Sequence, residues 1–447
     1  MHRKGRLCCL CKVGIGIVPV NTTLCYIKND KSEYLMLHRN KKENDINEGK
    51  WIGVGGKFEE GETAEECLLR EVYEETGLTL TKYHLHGLVK FVSDKWDDED
   101  MYLYSASEYT GTLKTVSDEG ELEWISADRL LDLPAWEGDK YFLKPLLNGQ
   151  DRIDLLLEYE GDRLMRSEDQ TEDVETLRSS LISCPHGFST RKGGVSDGMF
   201  RSLNLGMNRG DIKERVTENW RRFLGSVGID NKSFVCGKQI HENRVHIADE
   251  SDLRPAYGKG HMNTCDGYVT ACKNVPLAIF TADCVPLLLE DKKAGVIGAV
   301  HCGWRGTVSD IEKNAIDAFI SLGSNPADIH AAIGPAIDRC CFEVGKEVID
   351  AVHELIGDAA SDYYERGSYK SDIKTPENDT FSGVLDVNNE KYMLDLRGVV
   401  RHRLVMLGLD PSNIELVGGC TMCDPERYFS HRGTKGNRGS LASVICL

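Results

Sequence analysis

Apolar and polar positions alternate with a period of two along several stretches of the first third of the chain. This pattern predicts strands at TTLCYI and EYLMLHR after Asn21, and later at LHGLVKFVS, MYLYSASEY, ELEWIS and DLLLEYEG. Between them, the spacing predicts a helix from Thr63 to Thr76 and a shorter one from Tyr141 to Leu147. Strands interspersed with helices indicate an α/β domain.

The longer predicted helix carries three carboxylates on one face. Thr63 with Glu66 forms a capping box at its start, and Gly77 ends it. Glu71, Glu74 and Glu75 stand at i, i+3 and i+4, within one helical turn. Such a face is often no more than solvated. A hard divalent cation would also relieve its repulsion, since Mg²⁺ takes oxygen ligands and recruits substrate phosphates.

The residues around this helix follow a longer pattern. Gly56 is followed after five residues by Glu62, and after seven more by REVYEETGL, which begins at Arg70. This arrangement resembles the signature of the Nudix hydrolases at every specified position. The resemblance implies an α/β/α sandwich over residues 21–165 that hydrolyses a nucleoside diphosphate linked to another group.

By position, the Nudix resemblance also implies roles for individual residues. Glu71, Glu74, Glu75 and the Gly56 carbonyl would bind Mg²⁺ or Mn²⁺. Glu74 or Glu75 would activate the water, and Glu119 would be a further metal-binding or basic glutamate. Arg70 would pair with a neighbouring carboxylate and hold it in place.

The flanking segments are similar to the branch that acts on oxidised purine nucleotides such as 8-oxo-dGTP. In that branch a tryptophan and an aspartate contact the base, roles that Trp136 and Asp139 would fill. Ile52 replaces an amide residue that reads the purine, and Gly138 replaces a second aspartate. The resemblance therefore leaves the base open, and Trp136 is equally compatible with an ordinary core aromatic.

A charged stretch without periodicity, RSEDQTEDVET, indicates a linker at residues 166–179. Beyond it, apolar segments such as VPLAIFTADCVPLLLE and AGVIGAVHC alternate with helical patterns such as DIEKNAIDAFISLG. This alternation predicts a second α/β domain at residues 180–447. The 447-residue length fits two domains.

Three segments of the second domain carry candidate metal-binding side chains at the ends of apolar strands. They are His241 in GKQIHENRVH, Cys284 in FTADCVPLLL and His301 in AVHCGWRGT. Two imidazoles and a thiolate suit Zn²⁺ and leave a fourth position open. The chemistry alone favours the alternative of a buried apolar cysteine and two hydrogen-bonded structural histidines. Cys420 and Cys423 form a lone CxxC, which does not favour a zinc knuckle, and the single HxH at His84 does not favour a multicopper oxidase.

Several segments of this domain occur in the order found in the YfiH family, long labelled multicopper polyphenol oxidase or laccase. They are FSTRKGGVS, SLNLG, TADC, HCGWRG, AAIGPAIDRCCFEVG, CTMCDPERYFSHR and GNRGSLASVI. That family is associated with purine nucleoside phosphorolysis and adenosine deamination.

The YfiH resemblance implies that His241, Cys284 and His301 bind Zn²⁺, with Cu²⁺ a less favoured occupant. Arg191 and Arg305 are candidates to hold phosphate, helped by a helix expected to start near Thr307. The family pattern FSYR reads FSHR here, so His431 stands in place of the usual tyrosine. Its role is open between an extra ligand and a surface substitution.

Charge and cysteine content narrow the partners and the compartment. The net charge of −18 argues against a general DNA or RNA binder, which needs a basic face. The sixteen cysteines follow no disulfide framework, which indicates a cytoplasmic protein. Residues 1–20 faintly resemble a signal peptide, but Lys12 interrupts the apolar run, so we interpret them as an extension or a misassigned start. No run is long enough to span a membrane.

The sequence thus predicts a bifunctional enzyme acting on small nucleotides and purine nucleosides, with phosphate as co-substrate and no obligate protein partner. Two alternatives remain. The first domain could be a non-catalytic nucleotide sensor that regulates the second, or the second domain could be a copper polyphenol oxidase. Intact catalytic glutamates argue against the sensor, which has no need of them.

Overall fold

The computed structural model describes residues 18–41, 45–114, 117–230, 233–257, 263–368 and 390–447. The chain divides into two compact units, residues 1–172 and 173–447. Most of the predicted extension at residues 1–20 lies outside the described residues. Among the residues described, no helix has both the length and the apolar character needed to cross a membrane.

The first unit is built on an eight-stranded sheet with the order β3-β2-β1-β5-β4-β7-β8, in which β6 also pairs with β2. Its elements are, in chain order, β1 (Val20–Lys28), β2 (Glu33–Arg39), β3 (Trp51–Ile52), α1 (Ala64–Thr76), β4 (Leu78–Ser93), β5 (Glu99–Gly111), β6 (Gly120–Ser126), α2 (Asp139–Leu147), β7 (Leu155–Glu160) and β8 (Arg163–Asp169).

The two helices cover opposite faces of this sheet. Thr23 Oγ1 on β1 lies 3.6 Å from Cys67 Sγ on α1. The neighbouring Leu24 and Tyr26 instead belong to a buried apolar cluster that contains Phe142 of α2. Since successive side chains of a strand point to opposite faces, the unit is the α/β/α sandwich that the sequence predicted.

Helix α1 has the predicted ends. Thr63 Oγ1 accepts a hydrogen bond from Glu66 N at 3.2 Å, and the Glu66 carboxylate accepts one from Thr63 N at 2.8 Å. Gly77 closes the helix in the left-handed region, with φ +75°. Helix α2 begins at Asp139, two residues before the predicted Tyr141, so Asp139 lies in its first turn.

Part of the predicted linker is strand. β8 pairs with β7 in an antiparallel hairpin and reaches Asp169, and residues 176–177 form β9 of the second unit. The charged sequence hid β8 because it is the last strand of the sheet and is only partly covered. An edge strand can pair through its backbone without an apolar face.

Within its described residues, the second unit contains sheets of four, two, six and three strands. Its elements are β9 (Thr176–Leu177), β10 (His186–Ser189), α3 (Lys213–Ser226), β11 (Ser233–Phe234), β12 (Val245–Ile247), β13 (Arg254–Pro255), β14 (Gly267–Thr270), β15 (Leu277–Thr281), β16 (Val285–Asp291), β17 (Val296–Cys302), α4 (Trp304–Val308), α5 (Ile311–Ser321), β18 (His330–Ile333), β19 (Glu343–Gly345), α6 (Lys346–Ile356), β20 (Tyr364–Arg366), β21 (Lys391–Leu394), α7 (Leu396–Met406), β22 (Ile414–Leu416) and β23 (Leu441–Ile445).

The six-stranded sheet, ordered β12-β14-β17-β16-β18-β22, forms the centre of this unit. All residues of β16 and β17 are buried, as their nearly continuous apolar sequences predict. Helix α5 packs closely on β17, because Gly298 leaves room for the Phe319 ring. The apolar segment around Cys284 splits into two strands, since β15 pairs with β23 in the four-stranded sheet while β16 pairs with β17.

Two candidate active sites

The first candidate site lies where the glycine-rich loop after β3 meets α1. A Cβ on Gly56 would collide with the Glu71 carboxylate, so this carboxylate rests directly on the Gly56 backbone. The Gly56 carbonyl accepts a hydrogen bond from Thr23 N of β1 at 2.9 Å. At Gly55, φ is +155° and a Cβ would overlap the Thr23 carbonyl. Only glycine allows the loop this close to the sheet.

Arg70 joins three carboxylates of this site. Its Nε and Nη2 donate to the two oxygens of Glu62 at 2.7 and 2.8 Å. Its Nη1 donates to Glu71 Oε1 at 2.7 Å and to Glu74 Oε2 at 3.3 Å. The hydrogen bonds from Arg70 lower the pKa of Glu62 to about 2. Arg70 therefore holds Glu71 in place while Glu62 orients its guanidinium.

The three helix carboxylates differ in exposure. Glu75 is buried, and its Oε2 accepts a hydrogen bond from Gly55 N at 3.2 Å. The Glu71 side chain is 16% exposed and that of Glu74 is 60% exposed. We call Gly56, Glu71, Glu74 and Glu75 the carboxylate site. Its oxygen donors are hard ligands that fit Mg²⁺ or Mn²⁺.

Glu119 is held by an ion pair with Arg39 just before β6. The Nε of Arg39 also donates to Asp45 Oδ2 at 2.8 Å. Glu119 thus pairs with an arginine. The metal-binding or basic role of Glu119 stays a prediction.

A pocket opens on the α2 side of the same sheet. Its lining includes Ile52, Trp136 and Asp139, together with Asn47 and Glu99, which the sequence analysis did not single out. No local pattern marks the last two, because they come from the loop after β2 and the start of β5.

The polar groups of this pocket are arranged around Trp136. The indole Nε1 donates to Asn47 Oδ1 at 2.8 Å. Burial raises the pKa of Asp139 to about 7 and also raises the pKa of Glu99. Asp139 can therefore donate a hydrogen bond in its protonated form near neutral pH.

The glycine at position 138 has a structural cause. A Cβ there would lie 2.5 Å from Tyr159 Oη, and the Gly138 N–H donates to that oxygen at 2.7 Å. The Tyr159 hydroxyl fills the space of the second aspartate expected from the Nudix resemblance.

The second candidate site brings together His241, Cys284 and His301, which we call the His-Cys-His site. One ligand atom from each lies within 4.8 Å of the other two. A Cβ on Gly303 would lie 3.3 Å from His241 Cδ2 and 3.5 Å from Cys284 Sγ, so the three side chains close over this glycine. Three protein ligands with an open fourth position are the donor set of a catalytic zinc site.

Strand pairing explains how distant residues meet here. His301 lies near the end of β17, directly opposite Pro286 of β16. Cys284 immediately precedes β16, on the turn from β15. His241 comes from the loop after β11 and has φ +63°, a conformation that costs free energy for a histidine.

Asp266 holds both histidines, and the sequence analysis missed it. Its Oδ1 lies 2.8 Å from His301 Nδ1 and accepts a hydrogen bond from His241 N at 2.9 Å. Its Oδ2 accepts from Ile240 N and Glu242 N at 3.0 and 3.1 Å. In the sequence, Asp266 is marked only as an aspartate directly before the strand β14. A carboxylate on Nδ1 leaves Nε2 as the ligand atom of His301.

The charges within the site favour a thiolate. Burial alone would raise the pKa of the Cys284 thiol, but the charge of His301 and hydrogen bonds from both histidines lower it to about 6. Burial would lower the pKa of His301, whereas Cys284 and Asp266 raise it to about 9. Bound metal would replace these protons, because it needs the thiolate and neutral imidazoles.

The two predicted phosphate-binding arginines lie in different surroundings. Arg191 donates to the carbonyl of Pro425 at 2.7 Å and to that of Arg201, and its guanidinium stacks over Phe429. Arg305 is exposed, with its guanidinium 4.4 Å from the Trp304 ring centre. The expectation that Arg305 precedes a helix was wrong, since α4 already begins at Trp304 after an extended Gly303.

Another arginine, Arg438, interacts with the charge of Cys284. Arg438 is partly exposed; its Nη1 donates to the Gly439 carbonyl and to Ser440 Oγ at 2.9 Å, and its Nε is buried without a hydrogen-bond partner. Burial and the charge of Arg209 lower the pKa of Arg438 to about 10, while Asp283 and Cys284 oppose this shift. Burial, Arg438 and Arg209 also lower the pKa of the exposed His431. Arg438 and Arg209 lie in GNRGS and GMNRG, glycine-rich segments whose function was not apparent from sequence.

Comparison with known proteins covers both units. Residues 185–447 match the family described as multi-copper polyphenol oxidoreductase laccase, and residues 18–146 match the NUDIX domain. The chain is 34% identical over 262 residues to purine nucleoside phosphorylase YlmD of Bacillus subtilis, covering 58% of this chain and 87% of that protein.

Among solved structures, the Bacillus licheniformis hypothetical protein YfiH matches with a TM-score of 0.51 and 32% identity, covering 59% of this chain and 92% of that one. The MutT protein of Bacillus halodurans is 28% identical and covers 34% of this chain and 97% of that one, with a TM-score of 0.31. The chain therefore belongs to the multi-copper polyphenol oxidoreductase laccase family through residues 185–447, and it carries a NUDIX domain at its N-terminal end.

Proposed function

We propose that this chain is a bifunctional enzyme of nucleotide and nucleoside metabolism. The first unit hydrolyses a nucleoside triphosphate or another nucleoside diphosphate derivative, with 8-oxo-dGTP as one candidate. The second unit carries out phosphorolysis of purine nucleosides such as adenosine, inosine and 5′-methylthioadenosine, as well as adenosine deamination. We assign it to the cytoplasm, because every cysteine among the described residues is a free thiol.

The observation that supports hydrolysis is the contact of Glu71 with the Gly56 backbone and Arg70. These contacts hold the Glu71 carboxylate against the backbone of the glycine-rich loop. A bound Mg²⁺ or Mn²⁺ would polarise the phosphoryl group. Glu74, the most exposed of the three helix carboxylates, would accept a proton from the attacking water.

The pocket on the α2 side supports a purine substrate. Its apolar lining and Trp136 fit a flat base, and Asp139, with a pKa of about 7, can donate or accept a hydrogen bond around neutral pH. In place of the amide expected at position 52, such a carboxyl suits a base edge that carries both donors and acceptors.

The observation that supports the second activity is the His-Cys-His site with Arg438 near its cysteine. A bound Zn²⁺ would supply a Lewis acid there. Arg438, with an unpartnered buried Nε, and Arg209 would bind the phosphate that attacks the nucleoside, which makes them stronger candidates than Arg191. The same ligand types occur in zinc deaminases, which supports attack on adenosine by water.

Product analysis tests both activities on the purified full chain. Nucleotides are incubated with Mg²⁺ or Mn²⁺, and adenosine, inosine and 5′-methylthioadenosine are incubated with and without phosphate. We expect nucleoside monophosphate from the first assay. With phosphate, the second should give free base and ribose 1-phosphate, or 5-methylthioribose 1-phosphate from 5′-methylthioadenosine. Without phosphate, adenosine should give inosine and ammonia. Nucleotide binding without turnover would favour a sensor, and stoichiometric copper with phenol oxidation would favour an oxidase.

A further inference from the structure

Four cysteines meet in the second unit, apart from the His-Cys-His site. One sulfur from each of Cys340, Cys341, Cys420 and Cys423 lies within 4.8 Å of all the others. Cys423 Sγ is 3.4 Å from both Cys340 Sγ and Cys341 Sγ. We call these residues the four-cysteine group. The CxxC at 420 to 423 thus has a second pair, missed in the sequence because its members are adjacent rather than separated by two residues.

Two parallel strands bring the pairs together. Strand β18 pairs with β22, and an isolated bridge continues this pairing from Ala336 to Cys420. Thr421 N donates to the Ala336 carbonyl at 3.0 Å. The segments that leave the carboxyl ends of both strands therefore run side by side, one carrying Cys340 and Cys341 and the other Cys420 and Cys423.

Backbone N–H groups point at one of the sulfurs. Asp338 N lies 3.4 Å from Cys420 Sγ and donates to it. The backbone N–H groups of Cys423 and Met422 also face this sulfur. Such N–H donors stabilise a thiolate, the form in which cysteine binds metal.

The spacing of the sulfurs fits a single tetrahedral ion. A Zn–S bond of about 2.3 Å gives sulfur–sulfur edges of about 3.8 Å in a regular tetrahedron. The observed 3.4 Å contacts need only a small expansion to reach that value. A disulfide would bring two sulfurs much closer, to about 2.05 Å, and would leave the other two thiols unused. A multi-iron cluster would spread the thiolates, since it places inorganic atoms between them.

We propose that Cys340, Cys341, Cys420 and Cys423 form a second metal site, a closed tetrathiolate site that binds one Zn²⁺. With four protein ligands it has no position for substrate, so its role is structural. The bound ion would hold together the two segments that extend from β18 and β22.

Both segments contact the residue next to Cys284. Thr421 Oγ1 donates to Asp283 Oδ1 at 2.7 Å, and Ile337 N donates to the Asp283 carbonyl at 2.9 Å. Asp283 has φ +97°, which an aspartate keeps only when its surroundings hold it. A metal ion in the four-cysteine group therefore positions Cys284 without touching substrate.

Metal content of the full chain tests the proposal. Wild type, Cys423→Ser and the matched control Cys272→Ser are purified without chelators, and zinc is measured by mass spectrometry together with protein concentration. Cys272 is a partly buried free cysteine outside both metal groups. We expect Cys423→Ser to lose about one zinc ion per chain and Cys272→Ser to lose none. Both variants keep all three ligands of the His-Cys-His site.

A second measurement applies if Cys423→Ser does not fold. His241→Ala with Cys284→Ala removes ligands of the other site only, and Co²⁺ replaces zinc in this double variant. We expect it to retain one Co²⁺ with intense sulfur-to-cobalt charge-transfer absorption, because four thiolates remain. The proposal is overturned if this absorption is missing, if Cys423→Ser keeps the wild-type zinc content, or if peptide mapping finds Cys423 in a disulfide.

Discussion

Replacing Asp266 with asparagine tests how the His-Cys-His site is assembled. The carboxylate accepts four hydrogen bonds, two on each oxygen. An amide has only one acceptor oxygen, so in Asp266→Asn an NH₂ group must face two donors. If it faces His301 Nδ1, the ring moves its proton to Nε2 and loses the lone pair that binds metal.

The magnitude follows from the position of Asp266 behind the ligands. Loss of such a partner typically costs 10- to 100-fold in metal affinity, or about 1.4 to 2.7 kcal/mol. We expect the zinc affinity of the site to fall within this range, measured by competition with a chromophoric chelator. Circular dichroism should show that the variant remains folded.

Asp252→Asn is the matched control. Asp252 also pairs with a histidine, with its Oδ2 2.9 Å from His246 Nε2, but neither residue belongs to a metal group. We expect the control to bind zinc like the wild type. A change of less than twofold in Asp266→Asn would refute the reasoning, because it would mean that the carboxylate does not select the His301 tautomer.

Three further predictions concern the proposed chemistry. Glu74→Gln should abolish metal-dependent nucleotide hydrolysis and leave phosphorolysis unchanged, while Glu108→Gln, on an exposed cross-strand pair, should alter neither; retained hydrolysis would contradict the carboxylate assignment. Asp139 binds a proton more tightly when folded, so its contribution to stability is lost as pH rises from about 4 to 7, and Asp139→Asn should raise the melting temperature more at pH 8 than at pH 5. Equal shifts at both values would exclude a raised pKa. Arg438→Met should raise the KM for phosphate at least tenfold with little change in the KM for nucleoside, whereas equal changes in both would point to a general structural role.

The first unit was largely predictable because its signals are local. The capping box, Gly77 and the three glutamates of α1 all lie within fifteen residues of sequence, where spacing alone determines which side chains share a face. The bulged first half of β4 was missed, since register shifts between Leu80 and Gly87 break the period-two pattern. Pocket-lining residues such as Glu99 were missed because sheet pairing, rather than spacing, brings them to the pocket.

The second unit shows the limit of reasoning from local spacing. His241, Cys284 and His301 were singled out by residue type, but only a resemblance assigned them to one site, because sixty residues separate the first from the last. Asp266, Arg438 and the adjacent pair at Cys340 carry no pattern of their own. Each of them depends on a partner that strand pairing brings close. The bridge between Ala336 and Cys420, for example, brings the two cysteine pairs together.

Because of the same strand pairing, the position of Cys284 depends on the segments that carry the four-cysteine group. The turn that presents Cys284 includes Asp283, whose left-handed backbone is held by Thr421 and by Ile337. Those two contacts come from the segments that the four-cysteine group ties together. A metal ion there would therefore act on the His-Cys-His site through backbone position rather than through charge. Its loss should first weaken the geometry around Cys284 and leave the buried strands β16 and β17, which need no such support, intact.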